Sequence, residues 1–287
     1  MTSLPYFLGC PSWADNTWRE FFYPQDARST DFLGLYCQVF NTVEGNTTLY
    51  ARPNAATVQR WAQTMPAHFR FTAKFHRDIS HEGDLRLQLD AAQAFVDMLA
   101  PLGERVTPFW LQLPASFGPQ RLAELAMFIA EIKVPLAVEV RNQAFFLKGD
   151  EERALNRLLL DNGIERICLD SRALFSCISS DPAVLHAQSK KPKVPVRPAA
   201  LTQAPQVRFI GRPELDANDP YMAPWVEKVA AWIEEGRTPY VYLHTPDNHR
   251  APALAQRFHE QLMARLPGLA PLVQIDRGPE VEQLGLL

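Results

Sequence analysis

The feature that most constrains this chain is a regular alternation of short β-like runs with amphipathic helical stretches. Such alternation is typical of a parallel sheet covered by helices. Eight runs have the apolar and β-branched character of strands. They are residues 6–10, 38–43, 69–75, 107–113, 136–141, 166–170, 206–210 and 240–244. Eight strand-helix units within 287 residues predict an α/β fold, a single (β/α)8 barrel of the TIM type with some irregular helices.

An open, doubly wound sheet is the alternative architecture for this pattern. Because no glycine-rich dinucleotide turn follows the first run, the barrel is favoured. We expect the barrel to span residues 1–275 and a flexible C-terminal tail to span residues 276–287.

Local signals indicate where several helices begin. Asn54 and Asp150 are residue types that cap helix N-termini, and each precedes apolar residues at helical spacing. Pro224 suits the first turn of a helix, because a proline there loses no helical hydrogen bond.

Composition excludes several classes of protein. With 29 basic and 32 acidic residues the net charge is -3, so non-specific nucleic-acid binding is not expected, although a local contact stays open. No apolar run approaches the roughly 20 residues of a membrane span, and the N-terminus lacks the pattern of a signal peptide. Four cysteines without a Cys-x-x-Cys pair predict free thiols and a cytoplasmic protein.

The two faces of each strand run differ in polarity. In the third run Phe69, Phe71 and Phe75 alternate with Thr72 and Lys74. The apolar set is needed to pack the helices, so we expect the polar set to face the barrel axis. In the sixth run this places Arg166, Cys168 and Asp170 on the axis. Polar residues near the ends of the runs are then predicted to meet at the C-terminal rim: Glu44, Lys74, Gln112, Glu139, Arg141, Asp170 and His244.

The types of residue at this rim suggest acid/base chemistry. The predicted catalytic residues are Glu44, Lys74, Glu139 and Asp170. Either Glu44 or Glu139 is the expected general base, while Arg141 and Arg208 are expected to hold an anion by bidentate hydrogen bonds. The remaining predicted substrate-binding residues are Trp13, Asn46, His76, Gln112 and His244.

This set of residues favours a small anionic, sugar-like substrate and no cofactor. Although the carboxylates are possible ligands for a divalent metal, Lys74 and Arg141 on the same rim disfavour a cation. A metal-independent isomerase, lyase or hydrolase is therefore the expected class if the protein is an enzyme.

The same residues permit other interpretations. They can form a structural ion-pair network that plugs the barrel end. An open pocket above the charges would indicate a site, and its absence would indicate a plug. Lys74 can instead form a Schiff base with a carbonyl substrate. The basic run from Lys190 to Arg212 is interpreted either as a solvated surface loop or as a flap that attracts phosphate.

Several motifs, taken together and in order, resemble a known family. They are residues 9–13 (GCPSW), 21–24 (FFYP), 43–50 (VEGNTTLY), 71–75 (FTAKF), 111–114 (LQLP) and 137–142 (AVEVRN). This pattern is similar to that of the YecE-like family, domain of unknown function 72, over residues 6 to 275. The resemblance implies a TIM-barrel fold and a reaction that is not assigned. Asn142 departs from the histidine that many members carry at this position.

The end of the chain suggests a different class of function. Gln283, Leu284, Leu286 and Leu287 resemble the peptide by which bacterial polymerases and repair proteins bind the replication sliding clamp. A glutamine amide with aliphatic anchors is a reasonable ligand for a groove. The alternative to an enzyme is therefore a non-catalytic recruitment protein linked to DNA-processing machinery.

Overall fold

Short parallel strands alternate with helices in the computed structural model, which describes residues 4–277 apart from the Glu20 side chain. Nine strands lie within this range. They are β1 (Phe7–Gly9), β2 (Thr42–Gly45), β3 (Arg70–Ala73), β4 (Phe109–Gln112), β5 (Leu136–Glu139), β6 (Glu165–Arg166), β7 (Cys168–Asp170), β8 (Gln206–Ile210) and β9 (Tyr240–His244). The predicted sixth run thus forms two strands that are separated by Ile167.

Eleven α-helices lie in the same part of the chain. They are α1 (Phe32–Val39), α2 (Thr47–Tyr50), α3 (Ala55–Thr64), α4 (Arg77–Ser80), α5 (Leu89–Leu99), α6 (Leu122–Glu131), α7 (Asp150–Asp161), α8 (Arg172–Ser176), α9 (Pro182–Lys190), α10 (Asp219–Glu234) and α11 (Ala251–Arg265). Short 3-10 helices occupy several connections, including Asn16–Glu20 and Gln143–Phe146.

Three local expectations were wrong. Strand β2 begins at Thr42 rather than at Gln38, because Gln38 lies in α1, whose buried side chains Tyr36 and Cys37 follow helical spacing. Asp150 is the first residue of α7 and Gly149 its N-cap.

The third error concerns Pro224, which lies inside α10 rather than in its first turn. The helix begins earlier, at Asp219, with Pro220 at its N-terminus. Asn54 caps α3 as predicted, since its side chain accepts a hydrogen bond from the Thr57 amide at 2.8 Å.

All the strand pairs are parallel and form three sheets. Their strand orders are β1-β9-β8-β7, β2-β3 and β4-β5-β6. Main-chain contacts also cross from one sheet to another. The Glu44 amide donates to the Cys10 carbonyl at 3.0 Å, and Lys74 forms an isolated parallel bridge with Trp110. The structure is therefore an α/β fold in which parallel sheets are surrounded by helices.

One face of the three sheets, here called the inner face, carries its own apolar cluster. Its members are Trp110, Ala137, Ile167, Tyr240 and Tyr242. The opposite faces pack against the helices in one large core, with Leu8, Val138 and Leu243 among its members. Strand alternation thus separates the two faces as the sequence predicts, with one exception.

The exception is the sixth run, whose phase is opposite to the predicted one. Leu169 is in register with Arg208 and therefore shares the inner face, whereas Asp170 is in register with Phe209 on the helix side. Cys168 also faces outward, and its thiol donates to the Arg197 carbonyl at 2.8 Å. Polar side chains are tolerated on this outer face because neighbouring segments supply their hydrogen-bond partners.

No helix among residues 4–277 is long and apolar enough to cross a membrane. After α11, Leu266, Leu272 and Ile275 still pack against the main core. The predicted tail boundary at residue 276 lies next to the last described residues, and residues 278–287 are outside them.

Gly9 allows strands β1 and β2 to approach each other closely. A Cβ atom at Gly9 would lie 2.1 Å from the Thr42 carbonyl oxygen, which belongs to the backbone and cannot easily move. We expect Gly9→Ala to lower the free energy of unfolding by about 1–3 kcal/mol in urea denaturation. Gly34→Ala in α1 is the control, because its nearest neighbour is 3.7 Å away and alanine favours helices. Equal stability of the two variants would contradict this packing account.

Candidate active site

Six polar side chains from five strands and one strand end converge on the inner face. We call them the inner network: Glu44, Lys74, Gln112, Glu139, Arg208 and His244. Most of them lie at the carboxyl ends of parallel strands, as predicted. All three sheets contribute, and each of the six is buried.

Arg208 lies at the centre of the inner network. Its guanidinium contacts Glu44 Oε1 at 2.9 Å through Nη2 and Glu139 Oε2 at 3.0 Å through Nη1. Only 2% of the Arg208 side chain is exposed. Burial favours the neutral acid, but Arg208, Arg141 and Lys74 outweigh it and lower the pKa of Glu139 to about 2. Both carboxylates are therefore ionised, and the guanidinium of Arg208 has no pair of N–H donors available for bidentate binding of an anion.

Glu44 is surrounded by three donors. Besides Arg208, it accepts hydrogen bonds from Lys74 Nζ at 2.7 Å and from His244 Nε2 at 2.6 Å. Although burial opposes ionisation, the charges of Arg208 and Lys74 and the hydrogen bond from His244 hold the pKa of Glu44 well below its ordinary value. Both oxygens of the Glu44 carboxylate are already occupied by these donors, so the geometry disfavours Glu44 as a general base.

His244 is the proton acceptor that the arrangement leaves available. Since ionised Glu44 can only accept hydrogen bonds, His244 Nε2 must carry the hydrogen of their 2.6 Å contact. Burial, together with Arg208 and Lys191, lowers the pKa of His244 to about 3, so the ring is neutral. Its Nδ1 lone pair is buried and has no hydrogen-bond partner within residues 4–277.

Lys74 serves as a buried counter-ion in this arrangement. Its ammonium also donates to Gln112 Oε1 at 3.1 Å and lies 4.4 Å from the centre of the Trp110 ring. Burial and the neighbouring charge of Arg208 lower the pKa of Lys74 to about 8. Because the side chain is fully enclosed and paired, its position favours a counter-ion over a Schiff-base lysine.

A second set of side chains, here called the rim group, interacts with the inner network and is partly exposed. It consists of Arg141, His81 and Lys191. Arg141 donates to Glu139 Oε1 at 2.7 Å and keeps 16% of its side chain exposed. Burial, Arg141 and Arg77 lower the pKa of His81. Burial and Arg208 lower the pKa of Lys191 to about 7, and Glu44 and Lys74 of the inner network also influence it.

Lys191 and His81 were not among the predicted site residues. Lys191 belongs to the basic run, and His81 is the C-cap residue of α4. The position of Lys191 depends on α9 and the segment that follows it, where the Ser171 hydroxyl donates to the Pro192 carbonyl at 2.9 Å. No periodic signal in the sequence marks that placement.

Asp170, a predicted catalytic residue, does not join the inner network. It faces the helices, where its carboxylate pairs with Arg172 at 2.7 Å and accepts from the indole of Trp225 in α10 at 2.8 Å. The same phase error affects Arg166, which pairs with Glu152 of α7 at 3.3 Å.

Three predicted binding residues also have local partners outside the inner network. His76 is the N-cap residue of α4 and lies 3.1 Å from Asp78. Trp13 packs edge-on against Trp61, and the Asn46 amide donates to the Pro11 carbonyl at 3.1 Å.

The basic run does not form one uniform surface. Arg208 is buried in β8, and Arg197 pairs with Glu152 at 2.8 Å. Lys193 lies 5.4 Å from the ring centre of Phe175, and Lys190 is exposed. The Lys191 ammonium interacts electrostatically with Arg208, Glu44 and Lys74 of the inner network.

The inner network by itself resembles a structural plug, because all six of its side chains are buried. His244 is only 1% exposed, and several cavities of the molecule lie elsewhere. One of about 370 Å³ is lined by Phe7, Asn41 and Arg70, near the amino ends of the strands. Access to the network therefore depends on the partly exposed rim group.

Two other expectations concern a metal and the tail. Among residues 4–277, no group of three or more His, Cys, Asp or Glu side chains is arranged to hold a metal ion. Gln283, Leu284, Leu286 and Leu287 lie outside the described residues. Docking on a clamp therefore stays a prediction.

The family described as "Protein of unknown function DUF72" matches residues 7–276. The chain belongs to the DUF72 family. It is 38% identical to the UPF0759 protein YecE of Escherichia coli strain K12 over 271 residues, which cover 94% of this chain and 97% of that protein. It is 22% identical to the UPF0759 protein YunF of Bacillus subtilis strain 168 over 173 residues, which cover 56% of this chain and 60% of that protein. The resemblance seen in the sequence motifs is confirmed.

Solved structures agree at the level of the fold. Two crystal structures of a DUF72 family protein from Enterococcus faecalis V583 have TM-scores of 0.66 and 0.65 to this DUF72 chain. Their sequence identities are 19% and 20%. The first covers 94% of this chain and 100% of its own. The similarity extends to the fold and carries no information on the reaction.

Replacing Glu44 tests whether the inner network holds the site together. We expect Glu44→Gln to lower the free energy of unfolding by about 3–5 kcal/mol, because it leaves Lys74 and Arg208 buried with too few counter-charges. Glu227→Gln is the control. Glu227 pairs with Arg265 at 2.8 Å but is 65% exposed, so its loss is expected to cost under about 1 kcal/mol. Similar losses in urea denaturation for the two variants would refute the special role of Glu44.

Proposed function

We propose that this DUF72 protein is an enzyme that moves a proton on a small anionic, sugar-like molecule. The observation that carries the proposal is the buried, unpartnered Nδ1 atom of His244. An unsatisfied buried polar atom is costly, and such atoms in native proteins call for an explanation. A ligand hydroxyl or an acidic C–H group directed at Nδ1 supplies that explanation.

The proposed site lies at the carboxyl ends of the strands of a closed (β/α)8 barrel. Two cross-sheet contacts support closure, the Glu44 amide to the Cys10 carbonyl and the bridge from Lys74 to Trp110. In addition, only Ile167 separates β6 from β7, which belong to different sheets. Enzymes with this fold carry their chemistry at the carboxyl ends of the strands.

His244 is proposed as the general base and Glu44 as the residue that orients it. The 2.6 Å contact holds the Nε2–H tautomer, so Nδ1 is presented as an acceptor. Glu44 also stabilises the imidazolium that forms when Nδ1 takes a proton. Glu139 has a different role, since it fixes Arg208 and Arg141 on the far side of the network.

The charge around His244 explains why the substrate is proposed to be an anion. Arg208 and Lys191 both disfavour protonation of His244. A bound negative charge compensates these cations and makes Nδ1 more basic. Because Nδ1 is enclosed, the proposal also requires a rim side chain such as Lys191, on its flexible stem, to swing aside when the substrate enters.

The proposed step is proton abstraction from a carbon next to a carbonyl group. The proton passes to His244 Nδ1, the electrons of the C–H bond form a carbon–carbon double bond, and the carbonyl electrons move to oxygen. Rim cations stabilise the resulting enediolate oxygen. If the deprotonated carbon carries a hydroxyl group, the proton of that hydroxyl passes to the former carbonyl oxygen and His244 returns its proton to the former carbonyl carbon, which completes an isomerisation. If a leaving group lies β to the carbonyl, it departs with its bonding electron pair as the carbonyl re-forms, which completes a lyase reaction.

We also propose a cytoplasmic location. It is supported by Cys10, Cys37, Cys168 and Cys177, which are all buried free thiols. Reduced cysteines are usual in the cytoplasm.

Deuterium exchange tests the proposed step and does not require the product to be identified. A panel of aldose phosphates, ketose phosphates and sugar acids is incubated with the protein in D2O. ¹H NMR then follows the loss of the signal from the proton bound to the carbon next to the carbonyl. We expect catalysed exchange with at least one compound and a fall of at least about 100-fold in His244→Asn. His186→Asn is the control, since His186 is exposed on α9.

The proposal would be contradicted if no compound exchanged faster with the wild-type protein than without it. Equal exchange rates for His244→Asn and the wild type would also contradict it, because the base would then be another group.

A further inference from the structure

Lys191 is the rim residue whose ammonium has no ion-pair partner within residues 4–277. It follows the last residue of α9, and its amide donates to the Ala187 carbonyl at 2.9 Å. The next residue is held beside the end of β7 by the Ser171 hydroxyl. These two contacts fix the backbone at Lys191 beside the carboxyl end of β7.

The side chain interacts electrostatically with residues on several strands. Its ammonium is influenced by Arg208, Glu44, Lys74 and Arg141, which lie on or directly after β8, β2, β3 and β5. The backbone contact agrees with this, because Ser171, which holds Pro192, directly follows β7 at the carboxyl end of that strand. No oxygen atom of residues 4–277 makes a hydrogen bond or ion pair with this ammonium.

The surrounding charges do not balance. Glu44 and Glu139 are the two carboxylates of the network, and Lys74, Arg208 and Arg141 already supply three positive charges. Protonated Lys191 raises the surplus to two. Such a surplus in a largely buried place is stabilised by an incoming anion rather than by the protein itself.

We propose that Lys191 and Arg141 together bind the phosphate group of a phosphomonoester substrate. This inference rests on the proposed function, because it names the substrate class of the same site. A phosphomonoester carries about 1.5 to 2 negative charges at pH 7 and three acceptor oxygens, which match the surplus and the two donors.

A terminal phosphate fits this place better than a nucleic-acid backbone. A phosphodiester carries one negative charge and is flanked by chain on both sides, whereas the rim cations lie over an enclosed network. The protein also has a net charge of -3, so it lacks the extended positive surface that backbone binding uses.

Binding of the phosphate has a consequence for the base. Lys191 and Arg208 both disfavour protonation of His244 in the unliganded protein. A dianion that pairs with Lys191 weakens this effect, so the phosphate of the substrate increases the basicity of Nδ1. The group that anchors the substrate therefore also activates the residue that removes its proton.

Isothermal titration calorimetry with inorganic phosphate tests the inference without any turnover. We expect the wild-type protein to bind one phosphate and Lys191→Gln to bind it at least about tenfold more weakly, since a charge-assisted hydrogen bond is lost. Lys191→Arg keeps the charge and is expected to lose less affinity than Lys191→Gln. Thermal unfolding of each variant shows whether it is folded.

Lys193→Gln is the matched control, because Lys193 lines a nearby basic cavity that is an alternative place for phosphate to bind. That cavity, of about 580 Å³, is lined by Lys193, Arg172 and Phe175 among others. We expect Lys193→Gln to bind phosphate as the wild type does. Loss of binding in Lys193→Gln with retention in Lys191→Gln would overturn the inference, as would a wild-type protein that does not bind phosphate.

Dimethyl phosphate separates the two sources of phosphate chemistry. We expect it to bind more weakly than inorganic phosphate, and equal binding would overturn the monoester assignment in favour of a backbone-like ligand. Phosphate binding without deuterium exchange would leave this inference standing and refute the proposed function. Deuterium exchange of sugar acids without phosphate binding would support the proposed function and refute this inference.

Discussion

The structure depends on one buried cation, Arg208, held between Glu44 and Glu139 at 2.9 and 3.0 Å. A charge removed from water is tolerated only when it is paired and hydrogen-bonded, so loss of either carboxylate leaves Arg208 without a counter-charge that it needs. Since the three residues come from three different sheets, one guanidinium ties together strands that are far apart in the chain.

This interaction also determines the chemistry of its neighbours. Because Arg208 keeps Glu44 ionised, Glu44 can only accept the hydrogen of His244, which leaves Nδ1 as a free acceptor. Because Arg208 is occupied by two carboxylates, Arg141 and Lys191 become the cations that can meet a ligand. The ion pairs of the inner network orient His244, the proposed base, and leave the partly exposed Arg141 and Lys191 as the proposed ligands for an anion.

Much of this arrangement could be predicted from the sequence, where the signal was local. Glu44, Lys74, Gln112, Glu139 and His244 alternate with apolar residues in or beside strand runs, and strand periodicity assigned them to one face. The alternation of strands and helices likewise indicated parallel sheets. The sequence motifs identified the family.

The incorrect or missing predictions concern residues whose position depends on a segment distant in the sequence. Asp170 faces α10 because Trp225 supplies its partner there, and nothing within the sixth run reveals that indole. Gln38 looked β-like but lies in α1, whose packing against other elements outweighs its local propensity. Lys191 reaches the site from the segment after α9, so neither spacing nor charge distinguished it from Lys190 and Lys193.

The central claim is that His244 is a neutral base held in its Nε2–H tautomer by an ionised Glu44. Imidazole ¹⁵N chemical shifts, with His244 assigned by comparison with His244→Asn, report the tautomer and the protonation state directly. We expect a neutral Nε2–H ring from pH 8 down to about pH 5, since the pKa of His244 is about 3. A ring that gains a proton near pH 6.5, or one that carries its hydrogen on Nδ1, would contradict it.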